Sequence, residues 1–299
     1  MPESTDILSA DELAQIKGLQ LFARRVVEGF TSGLHTSPHK GFSVEFKQHR
    51  PYVRGDEIRR VDWKAYGRSD RFYIREYEEE TNLRARILLD ISGSMGYVGT
   101  AGVEKLDYAR KLSACLAYQM VHQQDTAGLV TFDEDIRDII PPRSRASHLQ
   151  VIFRALVRAK AGGETGLASA LQTLVPRLGR RGLLILITDG FDEVAPLLKA
   201  LAQLRHRGQE ILMFQLWDRD ELEFPFRRST MMINLENIAE QRLIDPAILR
   251  RTYLENVRRF REELEQGARR NRIDLVPLIT DQPCAAALSH YLKARLRRG

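Results

Sequence analysis

The segment ARILLDISGSMG, residues 85–96, carries its oxygen side chains at a spacing that suits a cation. Asp90 closes an apolar run, and Ser92 and Ser94 follow at intervals of two. In an extended turn, residues two apart project to one side, so a carboxylate and two hydroxyls converge on one point. Gly93 between the serines lets the backbone bend tightly. A hard divalent cation takes about six oxygens, and magnesium commonly accepts one or two carboxylates and keeps water for the rest. One loop thus supplies half a site.

Two other loops offer the remainder. The apolar run 183–188 ends on Asp189-Gly190, and Gly162-Gly163-Glu164-Thr165 leads into a segment of helical period. Taken singly, Asp189 reads as a turn-shaping acid and Thr165 as a helix cap. Taken together, the three loops leave apolar runs in the order a metal site needs. An open parallel sheet binds its ligands beyond the carboxyl ends of its strands, near the point where strand order reverses.

Such a sheet is what the elements around these loops predict. Apolar runs at 85–89, 127–132, 136–140, 183–188, 211–217 and 273–279 read as strands, and helical periods alternate with them. Helices are expected over 103–122, 149–159, 166–178 and 194–207. Asp245-Pro246 is a capping acid followed by proline, so another helix starts there and runs to about Asn271. Leu249, Tyr253, Val257, Phe260 and Leu264 form its expected buried stripe. The intervening stretch, about 221–245, reads as an inserted antiparallel hairpin. Residues 10–30 suit one helix, whereas 40–77 is a dense mixture of glycine, charged and aromatic residues, with no repeat.

The bulk properties narrow the function classes. At 299 residues, 43% hydrophobic and 29% charged, the chain has the composition of a soluble globular protein. Its longest apolar runs fall well short of the roughly 20 residues that cross a bilayer, and its acidic start is unlike a signal peptide. The expected location is the cytoplasm. Cys115 and Cys284 form no CxxC and read as small buried hydrophobes. A net charge of +6, with Lys293, Arg295, Arg297 and Arg298 at the tail, reads as a solvated surface without the interleaved aromatics of a nucleic-acid site.

Enzyme signatures fail in turn. The position two after Asp90 is Ser92, so the aspartate pair of haloacid-dehalogenase-like phosphatases is missing. The position two before Ser94 is Ser92, not the glycine that a hydrolase elbow needs. There is no Walker A loop, dinucleotide fingerprint or HExxH. A metal-dependent hydrolase remains the competing class, with no general base evident. A scaffold with a purely structural metal is a third.

The set Asp90-x-Ser92-x-Ser94, Thr165 and Asp189 resembles the metal-ion-dependent adhesion site of von Willebrand factor type A domains. The stretch RPYVRGDEIRRVDWKAYGRSDRFYIREYEEE, residues 50–80, resembles the signature that precedes such a domain in a bacterial family, domain of unknown function fifty-eight. Gly55-Asp56, Arg59, Asp62-Trp63 and Arg68 carry that likeness, and Asp245-Pro246, Tyr253 and Tyr291-Leu292 extend it. The resemblance implies an α/β, Rossmann-like, mostly parallel sheet with helices on both faces. It implies a family-specific segment over 1–82 that packs on a main domain over 83–299. It also implies magnesium or manganese, with calcium tolerated, at those five residues. Many members of the family carry N-terminal membrane helices, which this sequence lacks. Such proteins are often encoded beside MoxR-type AAA+ ATPases, so the implied function is a non-enzymatic adaptor or chaperone-like module. A partner's Asp or Glu would complete the metal. The residues 50–75 carry eight basic against four acidic side chains, which reads as an ion-pair network anchored by Trp63 and Tyr66.

Overall fold

The computed structural model describes residues 9–36, 49–51, 66–67, 72–75, 83–179, 181–236 and 239–296. The chain divides into two compact units, one of residues 29–81 and one of residues 1–28 with 82–298. Helix α1 (Ala10–Thr36) comes first. In the larger unit its start is tied to a later helix by Glu12–Arg158 and by a bond between Gln20 and Gln150. In the smaller unit, β1 (His49–Pro51) pairs antiparallel with β2 (Tyr73–Arg75). Tyr66 stacks on Phe72 at 4.4 Å between ring centroids. Most of the 50–80 signature, Trp63 included, lies outside the described residues.

The larger unit alternates strand and helix. Its elements are β3 (Arg84–Asp90), α2 (Lys105–His122), β4 (Thr126–Phe132), β5 (Ile136–Arg143), α3 (Ala146–Arg158), α4 (Leu167–Leu174) and β6 (Gly182–Thr188). They continue with α5 (Val194–His206), β7 (Gln209–Trp217), α6 (Arg219–Glu223), β8 (Thr230–Ile233), β9 (Gln241–Ile244), α7 (Pro246–Arg270), β10 (Asp274–Ile279) and α8 (Ala285–Leu296). Six strands form one sheet in the order β10-β7-β6-β3-β4-β5. All neighbours are parallel except the β4–β5 pair. This is the expected α/β architecture, a mostly parallel sheet alternating with helices.

Both sheet faces are covered, so the central strands are apolar throughout rather than alternating. On one face, Leu88, Val130, Leu184 and Leu186 pack with Leu171, Leu197, Leu201 and Leu264 of α4, α5 and α7. Helix α2 lies against β3, β4, β6 and β7, with α8 over β7 and β10. The hairpin β8–β9 forms its own two-stranded sheet, as expected, with Met231 opposite Leu243.

Three expectations need correction. Helix α4 ends at Leu174 and gives way to a 3-10 turn at Val175–Arg177, because Pro176 has no N–H to continue the ladder. Strand β5 runs on through Pro141 and Pro142, which an edge strand tolerates. In α7 the apolar stripe is buried only toward its C-terminal half: Leu249 is 37% exposed and Leu264 fully buried. A helix of 25 residues is about 37 Å long, whereas the nine-residue β7 spans about 30 Å, so one end of α7 overhangs the sheet.

Leu186 sits in the middle strand of this core at 1% exposure. Leu186→Ala should lower unfolding free energy by about 2–5 kcal/mol, read as a shift in urea midpoint at unchanged slope.

Candidate metal centre

Strands β3 and β6 lie side by side, with Leu89 opposite Ile187, and they deliver Asp90 and Asp189 to neighbouring positions at the carboxyl edge. The strand order reverses between them: the chain leaves β3 for β4 and β5 on one side, then returns to β6, β7 and β10 on the other. Both aspartates are fully buried. Asp90 Oδ1 accepts the Ser92 N–H at 2.9 Å, and Oδ2 accepts the Thr188 hydroxyl at 2.5 Å. After Ser92 the loop winds into a 3-10 turn, Gly93–Gly96, rather than staying extended. It still sets Ser92 Oγ 3.2 Å from Ser94 Oγ. Ser92 is buried and Ser94 partly exposed, so the cluster opens outward on the Ser94 side.

The loop before α4 is strapped to this one. Gly162 N donates to Ile91 O, and Gly93 N donates to Gly163 O, both at 3.0 Å. The strap passes through Gly163 at φ +77°, a left-handed conformation that glycine adopts without steric cost. Thr165 does not cap the helix that follows: the cap position is Gly166, with no side-chain bond. The Thr165 hydroxyl instead donates to Glu236 Oε1, on the loop between β8 and β9.

Asp189 is held from two sides. Its Oδ1 accepts the Phe191 N–H at 3.2 Å, the turn-shaping bond anticipated for it, and its Oδ2 accepts Lys105 Nζ at 2.8 Å. Lys105 also reaches Glu221 Oε1 at 2.7 Å and lies 5.0 Å from the Phe191 ring centroid. Its side chain is wholly buried. Glu221 is placed by a capping box at the start of α6, in which its carboxylate accepts the Asp218 N–H.

The charges do not balance. Asp90, Asp189 and Glu221 are acids in one buried neighbourhood, and among the described residues Lys105 is the ammonium paired with them. Burial first, and then the charge of Asp189, push the Asp90 carboxyl up to about 7, against the pull of its bonds from Thr188 and Ser92. Burial opposes the charge on Lys105, but Asp189 and Glu221 more than restore it and hold the ammonium above its ordinary value. Burial holds the Glu221 carboxyl above its ordinary value, against the pull of Lys105 and of the Asp218 N–H.

A divalent cation fits this donor set. Each carboxylate oxygen of Asp90 and Asp189 accepts one bond and retains a second lone pair. Among the described residues no three His, Cys, Asp or Glu side chains gather as a metal cluster, so a cation here depends on the hydroxyls of Ser92, Ser94 and Thr165. The structure joins Asp90, Ser92 and Ser94 directly and places Asp189 beside Asp90. It links Thr165 to them through the Gly162-Gly163 strap.

Two participants escape the sequence motif. Lys105 is the first residue of α2, where a cation opposes the helix dipole, and that misfit was the available signal. Glu236 had none, since its approach depends on the hairpin. Cys115 and Cys284 are buried free thiols pushed up by burial, in keeping with inert core residues. Among the described residues no helix is long and apolar enough to cross a membrane.

Comparison with known proteins follows from this geometry. Residues 48–266 match the family described as "Protein of unknown function DUF58". Uncharacterized proteins of Mycobacterium tuberculosis and Mycobacterium bovis are each 26% identical over 292 residues, covering 96% of this chain and 90% of the relative. Among solved structures, an aerotolerance-related membrane protein from Bacteroides fragilis gives a TM-score of 0.49 at 15% identity, over 70% of this chain and 96% of that one. The conserved hypothetical protein BatB from Bacteroides thetaiotaomicron gives 0.46 at 15% identity, over 72% and 99%. The SpRpn10 VWA domain gives 0.43 at 9%, over 69% and 94%.

Because the folded value for Asp90 lies above its ordinary 3.8, the metal-free fold binds an extra proton between about 4 and 7. The associated stability is present at low pH and is lost as pH rises through 7. In chelator, Asp90→Asn should therefore gain on wild type by several degrees in melting temperature between pH 5 and pH 8, with magnesium closing the gap only for wild type. Lys105→Met leaves two buried carboxylates without their cation and should cost about 3–5 kcal/mol in chelator, measured by urea unfolding.

Proposed function

The chain belongs to the DUF58 family, and from that premise we propose that it is a non-enzymatic, metal-dependent protein-interaction module. The observation that carries the reading is the pair of buried carboxylates at the sheet's switch point, Asp90 and Asp189, beside three neutral hydroxyls. Two carboxylates, one of them already shared with Lys105, leave part of a 2+ charge unneutralised. A cation so held attracts an incoming carboxylate, more strongly where protein lowers the local dielectric. Asp90, Ser92, Ser94, Thr165 and Asp189 would hold magnesium or manganese, with calcium tolerated by an oxygen-only set. The ion supplies a positive point that a partner's Asp or Glu completes.

Catalysis has less support. Among the described residues no three His, Cys, Asp or Glu side chains gather there, and each aspartate of the site is already tied into backbone, hydroxyl or ammonium bonds. The family resemblance supports a cytoplasmic MoxR-type AAA+ ATPase as partner, with this chain as its adaptor.

Calorimetry with magnesium and manganese tests the site. Wild type should bind one ion, and folded Asp90→Ala and Thr165→Ala should bind at least tenfold more weakly. A purified MoxR-type ATPase should be retained by immobilised wild type in magnesium and released by chelator. Retention indifferent to chelator would leave the metal a structural role, and phosphoester hydrolysis lost in the Asp90→Ala protein would point to the enzyme.

A further inference from the structure

The loop between β8 and β9 reaches the centre described above from within the same chain. Thr165, whose bland reading was a helix cap, gives its hydroxyl proton to Glu236. A hydroxyl that donates its proton in this way keeps its oxygen lone pairs for a cation. A carboxylate therefore already stands beside a metal-facing oxygen, where a partner's carboxylate would be expected.

A second contact places the same loop over the serines. A Cβ built on Gly93 would lie 2.4 Å from the Leu235 carbonyl oxygen and 2.8 Å from its carbon. Glycine at 93 is thus required by the close approach of another backbone, and not by its own turn. The tip is also shaped to present Glu236: Asn234 Oδ1 accepts the Glu236 N–H at 3.0 Å, and the Asn234 amide bonds Glu240 at 3.2 Å.

We propose that Glu236 is an internal carboxylate ligand, so that the hairpin tip caps the metal centre and a partner's Asp or Glu must displace it. The inference rests on the metal-binding reading and deepens it. Thr165 holds the carboxylate in register, while the Gly93–Leu235 contact keeps the tip seated. Partner binding is then an exchange of one carboxylate for another, and affinity for an external carboxylate is lowered by whatever holds the tip down. The hairpin should move only as far as needed to withdraw Glu236, since its strands pair with each other and not with the main sheet.

The test uses the full chain, manganese and acetate. Calorimetry gives manganese affinity, and line broadening of carbon-13 acetate by bound manganese gives access for an external carboxylate. Glu236→Gln keeps an acceptor for Thr165 without the charge, and Gly93→Ala lifts the Leu235 backbone, and the tip with it, without altering the Glu236 side chain itself. Glu236→Gln is expected to bind manganese about tenfold more weakly than wild type. Both variants, with manganese saturated, are expected to bind acetate at least tenfold more tightly than wild type. In wild type, manganese should slow deuterium exchange over residues 230–244. If wild type binds manganese but Glu236→Gln matches it for both ligands, the cap is overturned and the metal reading stands. The cap is also overturned if manganese leaves exchange in the hairpin unchanged. If wild type binds no divalent ion, the metal reading fails and takes the cap with it.

Discussion

Two carboxylates cannot be buried at adjacent strand ends without help, and much of the carboxyl edge is arranged around that constraint. The β3–β6 register brings Asp90 and Asp189 together, and each is cut off from water. Like charges in such a place repel, and desolvation adds to the cost. Lys105 relieves one side of the conflict by lying between Asp189 and Glu221. That role explains a lysine at the start of α2, where the helix dipole disfavours it. It also explains why α6 opens with a capping box, since that device fixes the carboxylate of Glu221. Asp90 gets no ammonium of its own and is left with hydrogen bonds alone, from Thr188 and Ser92.

The remaining imbalance connects the fold to its function. On the proposed reading, a buried acid whose ionisation is resisted takes a cation, and neutral hydroxyls leave that cation part of its charge. Of those hydroxyls, Ser92 and Ser94 bond to each other and Thr165 donates to Glu236. Titratable groups at the other end of the strands are spent on structure. His148 is buried with its ring nitrogen on the Ala127 carbonyl, and burial lowers its affinity for a proton. Tyr291 closes the last helix onto the domain through Asp125.

The legibility of the chain differs from element to element. The central strands were readable because burial on both faces demands unbroken apolar runs. Helix α2 was readable because its covered side repeats every three or four residues. The end of α4 was signalled by Pro176, whose effect a reading by period alone overran. The stripe on α7 was misjudged at Leu249 because periodicity shows which residues share a face, but not whether the sheet is long enough to cover it. At the centre, the spacing of Asp90, Ser92 and Ser94 was local and could be read. Thr165 was singled out from its place before a helix, yet its bond to Glu236 spans 71 positions and has no local trace.

The sequence by itself determined the alternation of strand and helix, the parallel sheet this requires, and the loops that would carry oxygen atoms past its edge. Those features follow from period, capping and turn chemistry, which act over a few residues. Only the tertiary structure decided that β6 lies beside β3, that Lys105 divides its charge between Asp189 and Glu221, and that the hairpin lays Leu235 on Gly93. These are contacts between residues far apart in the chain. They depend on strand order and on how closely two backbones can approach, and neither is written in any short stretch of residues.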